Sequence, residues 1–127
     1  HGTFRADNPQ FSSLRLADGP LTVYDLDMVS SVPAVMVMPS CDSAISEVGV
    51  GDELLGLSAT LLRMGVTSLI APAVPIPDAE TMPLMVELHR RMLSGEDPAS
   101  ALTHITSMDA TSPSERAARS AFVALGA

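Results

Sequence analysis

Pro33-Ala34-Val35-Met36-Val37-Met38-Pro39, followed by Ser40-Cys41-Asp42-Ser43, is the stretch on which the fold turns. Five apolar residues in a row between two prolines read as a short strand buried on both faces, the pattern of a parallel sheet. A polar loop with glycines, Ser40 to Gly51, leaves that strand. Asp52 then caps a helix reaching about Met64. Leu54, Leu57, Leu61 and Met64 share one stripe, with Leu55, Ala59 and Leu62 beside it, so a wide face is set to pack on a sheet. Gly65 is placed to stop the helix. Val66-Thr67-Ser68-Leu69-Ile70-Ala71 is a second buried-strand pattern, ended by Pro72, Pro75 and Pro77. Strand, helix and strand in this order predict an α/β domain with a mainly parallel sheet.

Downstream, Asp78 opens a helix through about Leu93 that stops at Gly95. Leu84, Leu88 and Met92 form its core stripe, with Met85 and Val86 alongside. Asp97-Pro98 is an N-cap with proline at the first helical position, predicting a helix to about Ser107. Ser112-Pro113-Ser114-Glu115 reads as a full capping box for a short last helix. Ala121 to Leu125 is a candidate final strand. Upstream, residues 3–20 read as an extended surface loop, because Asn8-Pro9, Ser12-Ser13 and Asp18-Gly19-Pro20 are turn signals with little periodicity between them. Thr22 opens a short helix, with Asp25 three residues on, close to a capping box. No internal repeat and no low-complexity tract is present.

Composition narrows the functional classes. Seven basic against fifteen acidic residues give a formal net charge of −8. No basic cluster exists beyond the adjacent Arg90-Arg91, so nucleic acid and anionic membrane are poor partners. No apolar run reaches the roughly 18 residues of a membrane span. A single cysteine excludes an internal disulfide and a cysteine-based metal cage, and suits a reducing compartment such as the cytoplasm. No cofactor motif is found: Gly49-Val50-Gly51 precedes a helix start but lacks the Lys-Ser/Thr of a phosphate loop. With few aromatics, the core must be built from Leu, Val, Ala and an adaptable set of eight Met.

In an open parallel sheet, sites lie beyond the carboxyl ends of the strands. Cys41 stands three residues past the apolar run, where a nucleophile would be presented, among polar Ser40, Asp42 and Ser43. The plainer reading is a small core thiol. A nucleophilic thiol needs a proton partner. His89 and His104 lie inside helical patterns, where surface or packed histidine is expected. His1 is followed by Gly2, whose lack of a side chain lets backbone approach a substrate. If the strand feeding His1 runs beside strand 34–38, imidazole and thiol meet at one sheet edge. Asp25 and Asp27 suit a helix start better than a metal. Ser40 and Ser43 lack a nucleophile elbow.

Taken in order, these residues resemble the CHAT family, caspase-like domains often found beside tetratricopeptide repeats. The resemblance runs through His1-Gly2, Leu16-Ala17-Asp18-Gly19-Pro20-Leu21-Thr22, the strand into Ser40-Cys41-Asp42-Ser43 and Gly51-Asp52-Glu53-Leu54-Leu55-Gly56-Leu57. It continues through Met64-Gly65-Val66-Thr67-Ser68, Pro75-Ile76-Pro77-Asp78, Leu84-Met85, Ala99-Ser100-Ala101-Leu102 and Ala121-Phe122-Val123 to Gly126.

It implies a caspase-like three-layer α/β/α sandwich with a mainly parallel sheet. Residues 1–127 would be the C-terminal catalytic half of that domain, a fragment lacking the N-terminal strands. It implies a cysteine endopeptidase with His1 and Cys41 as the catalytic dyad, and the backbone N–H groups of Gly2 and Cys41 as the oxyanion hole. The implied partners are a protein or peptide substrate and an upstream repeat or sensor region of the same protein. The rival within the family is a caspase-like scaffold that binds partners without cleaving. Two positions depart from the family pattern. Pro39-Ser40-Cys41 stands where Ser-Ala-Cys is common, and Ala44 where the loop commonly has Gly.

Overall fold

A computed structural model describes residues 2–3, 8–39, 52–74, 76 and 78–126. The chain opens with three short strands, β1 (Gly2–Thr3), β2 (Ser13–Leu16) and β3 (Gly19–Thr22), with a 3-10 turn at Pro9–Phe11 between the first two. They pair antiparallel in the order β1-β2-β3, with Gly2 opposite Leu14 and Leu14 opposite Leu21. The expected surface loop over 3–20 is therefore corrected to a small sheet. Its strands are too short to show a period, and its turn residues are those that join hairpin strands.

α1 (Val23–Asp27) begins at Thr22 with a complete capping box. The Thr22 hydroxyl accepts from the Asp25 N–H at 3.0 Å, and the Asp25 carboxylate accepts from the Thr22 N–H at 2.8 Å. Those bonds from Thr22 hold the Asp25 carboxyl below its usual range.

β4 (Val35–Val37) follows, then α2 (Asp52–Arg63). Gly65, at φ +110°, ends the helix turn: its N–H donates to Leu62 O and that of Val66 to Leu61 O, both at 3.1 Å. This double bond pattern closes a helix through a left-handed residue, which glycine adopts at no steric cost. β5 (Ser68–Pro72) is buried along its whole length. α3 (Asp78–Leu93), α4 (Pro98–Ser107), α5 (Pro113–Ala121) and β6 (Phe122–Gly126) complete the order. The Asp97 cap of α4 is present, with its carboxylate accepting from the Ser100 N–H at 3.0 Å. At α5 the expected full box is half realised. The Ser112 hydroxyl accepts from the Glu115 N–H at 3.1 Å. The Glu115 carboxylate turns instead to the N–H and hydroxyl of Thr111, both at 2.7 Å, because Arg119 one turn on holds its other oxygen.

The second sheet has the order β4-β5-β6. β4 runs parallel to β5 with Val37 opposite Ile70; β6 runs antiparallel to β5 with Phe122 opposite Pro72. The chain is mixed α/β, with one parallel and one antiparallel pairing in this sheet. Alternation along β5 sends its side chains to two cores. Ile70 joins Leu84, Met85 and Leu88 of α3, Ala101, Leu102 and Ile105 of α4, and Phe122. Leu69 and Ala71 join Leu26, Met38, Leu61 and Val66 on the other face, with Leu14 and Leu21 of the small sheet packed against them.

Two expectations about burial change here. The strand at 34–38 is not covered on both faces: Val35 is exposed, and Met36 and Val37 are half-buried. Among the described residues β5 holds the central place of this sheet and β4 an edge, so within it β5 alone has neighbours on both sides. Val86 does not join the core stripe of α3; it is exposed, as are Met82 and Leu93. Ala59 of α2 is likewise exposed.

Candidate active site

β4 and β5 are parallel, so both leave the sheet at one edge. Met38, just past β4, is fixed there: its N–H donates to Ile70 O at 2.8 Å and its side chain is buried. Pro39 follows, exposed. Its ring keeps the preceding residue extended and leaves no N–H to pair. Cys41, Ser40, Ser43, Ala44 and Gly49-Val50-Gly51 lie outside the described residues, and so does His1.

Gly2 is half-buried in β1, opposite Leu14. A Cβ built on Gly2 would meet Leu14 Cδ2 at 4.0 Å, an ordinary contact. Packing among the described residues thus does not require glycine there. Leu14 in turn packs against the cluster that contains Met38, Leu26, Leu61 and Leu69. One apolar core therefore anchors the strand partner of Gly2 and the residue three positions before Cys41.

The other histidines lie on helices α3 and α4. His89 lies within α3, its Nδ1 at 2.7 Å from the Met85 carbonyl oxygen one turn back. His104 of α4 pairs with Glu96. Glu96 belongs to an ionic chain at the C-terminal end of α3: Arg91 bonds Glu96 at 3.2 Å and Glu87 at 2.8 Å, and Arg90 bonds Glu87 at 2.7 Å. The fork from Arg90, helped by Arg91, holds the Glu87 carboxyl down to about 2. Burial pushes Glu96 up, but His104 and Arg91 together leave it below the usual range. This network occupies the C-terminal turns of α3 and the start of the link to α4.

Asp25 and Asp27 do not form a metal pair. Asp25 is held in its cap, and Asp27 faces Arg63 at 3.5 Å. Among the described residues no group of three His, Cys, Asp or Glu could hold a metal ion. Pro72, expected to end the second strand, is instead the last residue of β5, buried opposite Phe122, and Pro75 and Pro77 lie outside the described residues. Among the described residues no helix is long and apolar enough to cross a membrane.

The structure also holds a surface that the sequence reading did not mark, apart from Val86, which it had placed beside the core stripe. An open cleft of about 750 Å³ is lined by Pro39 and by residues of α3, including Met82, Met85, Val86 and Leu93. The signal was present in the sequence as a second stripe, Met82, Val86, His89 and Leu93, offset from the core stripe.

The family model for the CHAT domain matches residues 1–122. No curated protein and no solved structure gives a match to the chain.

Proposed function

The chain belongs to the CHAT domain family, a caspase-like group, and on that premise we propose that it is the C-terminal catalytic part of a cysteine endopeptidase. Cys41 is the nucleophile and His1 its proton partner. The wider architecture is the caspase-like three-layer sandwich with a mainly parallel sheet. An upstream repeat or sensor region of the same protein controls the site. The module works in the cytoplasm on protein or peptide substrates, without nucleic acid, membrane or cofactor.

The observation that supports this reading is the shared core beneath the strand exits. Leu14 sits opposite Gly2, and Met38 precedes Cys41 by three residues; both belong to one packed group. A chain held at those two points needs only short spans to bring an imidazole to a thiol. Nearby imidazolium lowers a thiol pKa, and the thiolate is the reacting form. The sulfur attacks the peptide carbonyl carbon and the oxygen takes up the negative charge. The N–H groups of Gly2 and Cys41 receive that oxygen, each donor contributing about 3 kcal/mol in comparable sites. Collapse breaks the C–N bond as His1 passes a proton to the departing amine. Water, its proton drawn off by His1, then cleaves the thioester, releasing the carboxylate product and restoring the thiol.

Alkylation of the folded chain by iodoacetamide tests the reading. Cys41 should react near neutral pH, and His1→Ala should slow the reaction and move its pH midpoint toward that of a free thiol. A thiol that reacts only after unfolding removes the peptidase. In the complete protein Cys41→Ala should abolish peptide cleavage, whereas the 127-residue chain alone, with one edge of β4 unpaired among the described residues, should show none.

A further inference from the structure

Along β5 the backbone groups turn alternately to its two neighbours. Toward β4, the Ser68 N–H donates to Ala34 O at 3.0 Å, and Ile70 O accepts from the Met38 N–H at 2.8 Å. Toward β6, the Ala73 N–H donates to Ala121 O at 2.7 Å. By this alternation the next donor toward β4 falls at position 72, in line with Met38 O, and that position is proline. Proline has no N–H to give. The Met38 carbonyl therefore ends the ladder without its donor, and among the described residues no other backbone N–H serves it. It stands three residues before Cys41, where the chain leaves β4.

A hydroxyl short of a partner lies at the same level. Ser58 of α2 is 2% exposed, and its Oγ has no hydrogen-bond partner among the described residues. A serine inside a helix can bond the carbonyl one turn back; this one does not. α2 joins two parallel strands, so it runs back against them, with its end beside the start of β5 and its beginning toward the strand exits. Leu62 fixes the level: its Cδ2 lies 3.4 Å from a Cβ built on Gly126, the partner of Ser68. Ser58 comes four residues before Leu62, which is about 6 Å along the helix and about two residues along a strand. That brings it level with Ile70, whose carbonyl holds the Met38 N–H. Leu61, on the same buried side of α2, packs with Met38, Leu69 and Ala71.

We infer that Ser58 is a positioning residue for the exit of β4, its hydroxyl bonded to a buried water that donates to the Met38 carbonyl left unserved by Pro72. Buried waters settle where polar groups in the interior are each short of a bond. Kept apart, the hydroxyl and the carbonyl would each bear a desolvation penalty. Joined, they hold the last peptide before Pro39, and with it the start of the segment that carries Cys41. The consequence for the thiol rests on the peptidase reading; the bridge itself does not.

Hydrogen exchange and iodoacetamide alkylation of the 127-residue chain test it. In Ser58→Ala the Met38 amide should exchange about fivefold faster, as for the loss of roughly one net hydrogen bond. The Leu102 amide of α4, in the other core, should keep its parent rate. The pH midpoint of Cys41 alkylation should move toward that of a free thiol. Ser58→Thr keeps the hydroxyl and should restore both readings. Pro72→Ala gives the Met38 carbonyl a ladder N–H, so adding Ser58→Ala to that background should leave Met38 exchange unchanged. Removing an idle buried hydroxyl would leave the Met38 rate as it is or slow it, and that result in Ser58→Ala overturns the inference. So does an equal effect of Ser58→Ala with and without Pro72→Ala. A faster Met38 amide beside an unmoved midpoint of a reactive Cys41 overturns the positioning role and leaves Ser58 a structural group. If Cys41 of the parent reacts only after unfolding, the peptidase reading falls, while the exchange measurements still decide whether the bridge exists.

Discussion

A Cβ built on Gly126 would stand 2.1 Å from the carbonyl oxygen of Thr67 and 3.0 Å from its carbon. Gly126 is the last residue of β6, opposite Ser68, and its φ is +107°. The final strand thus closes on the start of β5 through a backbone contact that only glycine permits. Gly126→Ala should destabilise the chain by about 2 kcal/mol or more, combining a left-handed backbone with a clash that no flexible side chain can relieve. Chemical denaturation checks it: the midpoint should fall with little change in slope. A variant as stable as the parent would show that the end of β6 can pull away freely.

Leu88 is fully buried in the core between α3, α4 and the sheet, whereas Met82, on the same helix, is 71% exposed. Leu88→Ala should cost about 2–5 kcal/mol, the transfer of the lost groups plus the cavity left behind. Met82→Ala should stay within about 0.5 kcal/mol of the parent. Equal losses would mean that the outer face of α3 is covered in solution.

The cap at Thr22 sits between the small sheet and α1. Its hydroxyl and the Asp25 carboxylate satisfy each other's backbone N–H groups. Thr22→Ala removes one half of the pair and should cost about 1 kcal/mol. Thr22→Ser keeps the oxygen and should restore most of it. Hydrogen exchange at the Asp25 amide, whose acceptor is the lost hydroxyl, should accelerate in the alanine variant alone.

Two carboxylates predict how stability follows pH. Glu115 is held down to about 2 by the hydroxyl and N–H of Thr111 and by Arg119, and Glu87 to about 2 by Arg90 and Arg91. In the unfolded chain both take up protons near the ordinary value of about 4.3. Between that value and about 2 the unfolded state binds more protons than the folded one, so stability rises with pH there. The contribution is complete above about pH 5 and disappears as pH falls through about 2. Urea midpoints measured from pH 5 downward should decline, and Glu115→Gln with Glu87→Gln should flatten the decline. An unchanged slope in that double variant would locate the acid sensitivity elsewhere.

How much of this could be read from the chain depends on where its information is local. α3, α4 and α5 were legible because their caps and stops are written in adjacent residues: Asp97-Pro98, Ser112, Gly95. β5 was legible from Leu69-Ile70-Ala71, the short apolar core of a strand buried on both faces. The same kind of run misled at 34–38. Coverage of β4 is decided by which strand lies beside it, and no pattern inside five residues carries that. The small sheet at 2–22 was missed because its strands are two to four residues long, too short for alternation to emerge. Val86 was assigned to the core because two stripes with nearly the same period share α3, and only packing tells which one faces the sheet. For the site, residue types and spacing pointed to His1 and Cys41. The packing of Leu14 with the cluster that holds Met38 is tertiary and had no sequence signature, and His1 and Cys41 themselves lie outside the described residues.

Pro39 has one more consequence. A cyclic side chain at the last position before the polar loop removes one backbone rotation and one donor just where the sheet lets go of its strand. One of the two backbone rotations at the exit from β4 is thereby set by covalent geometry, not by neighbours that a change elsewhere in the sheet could loosen.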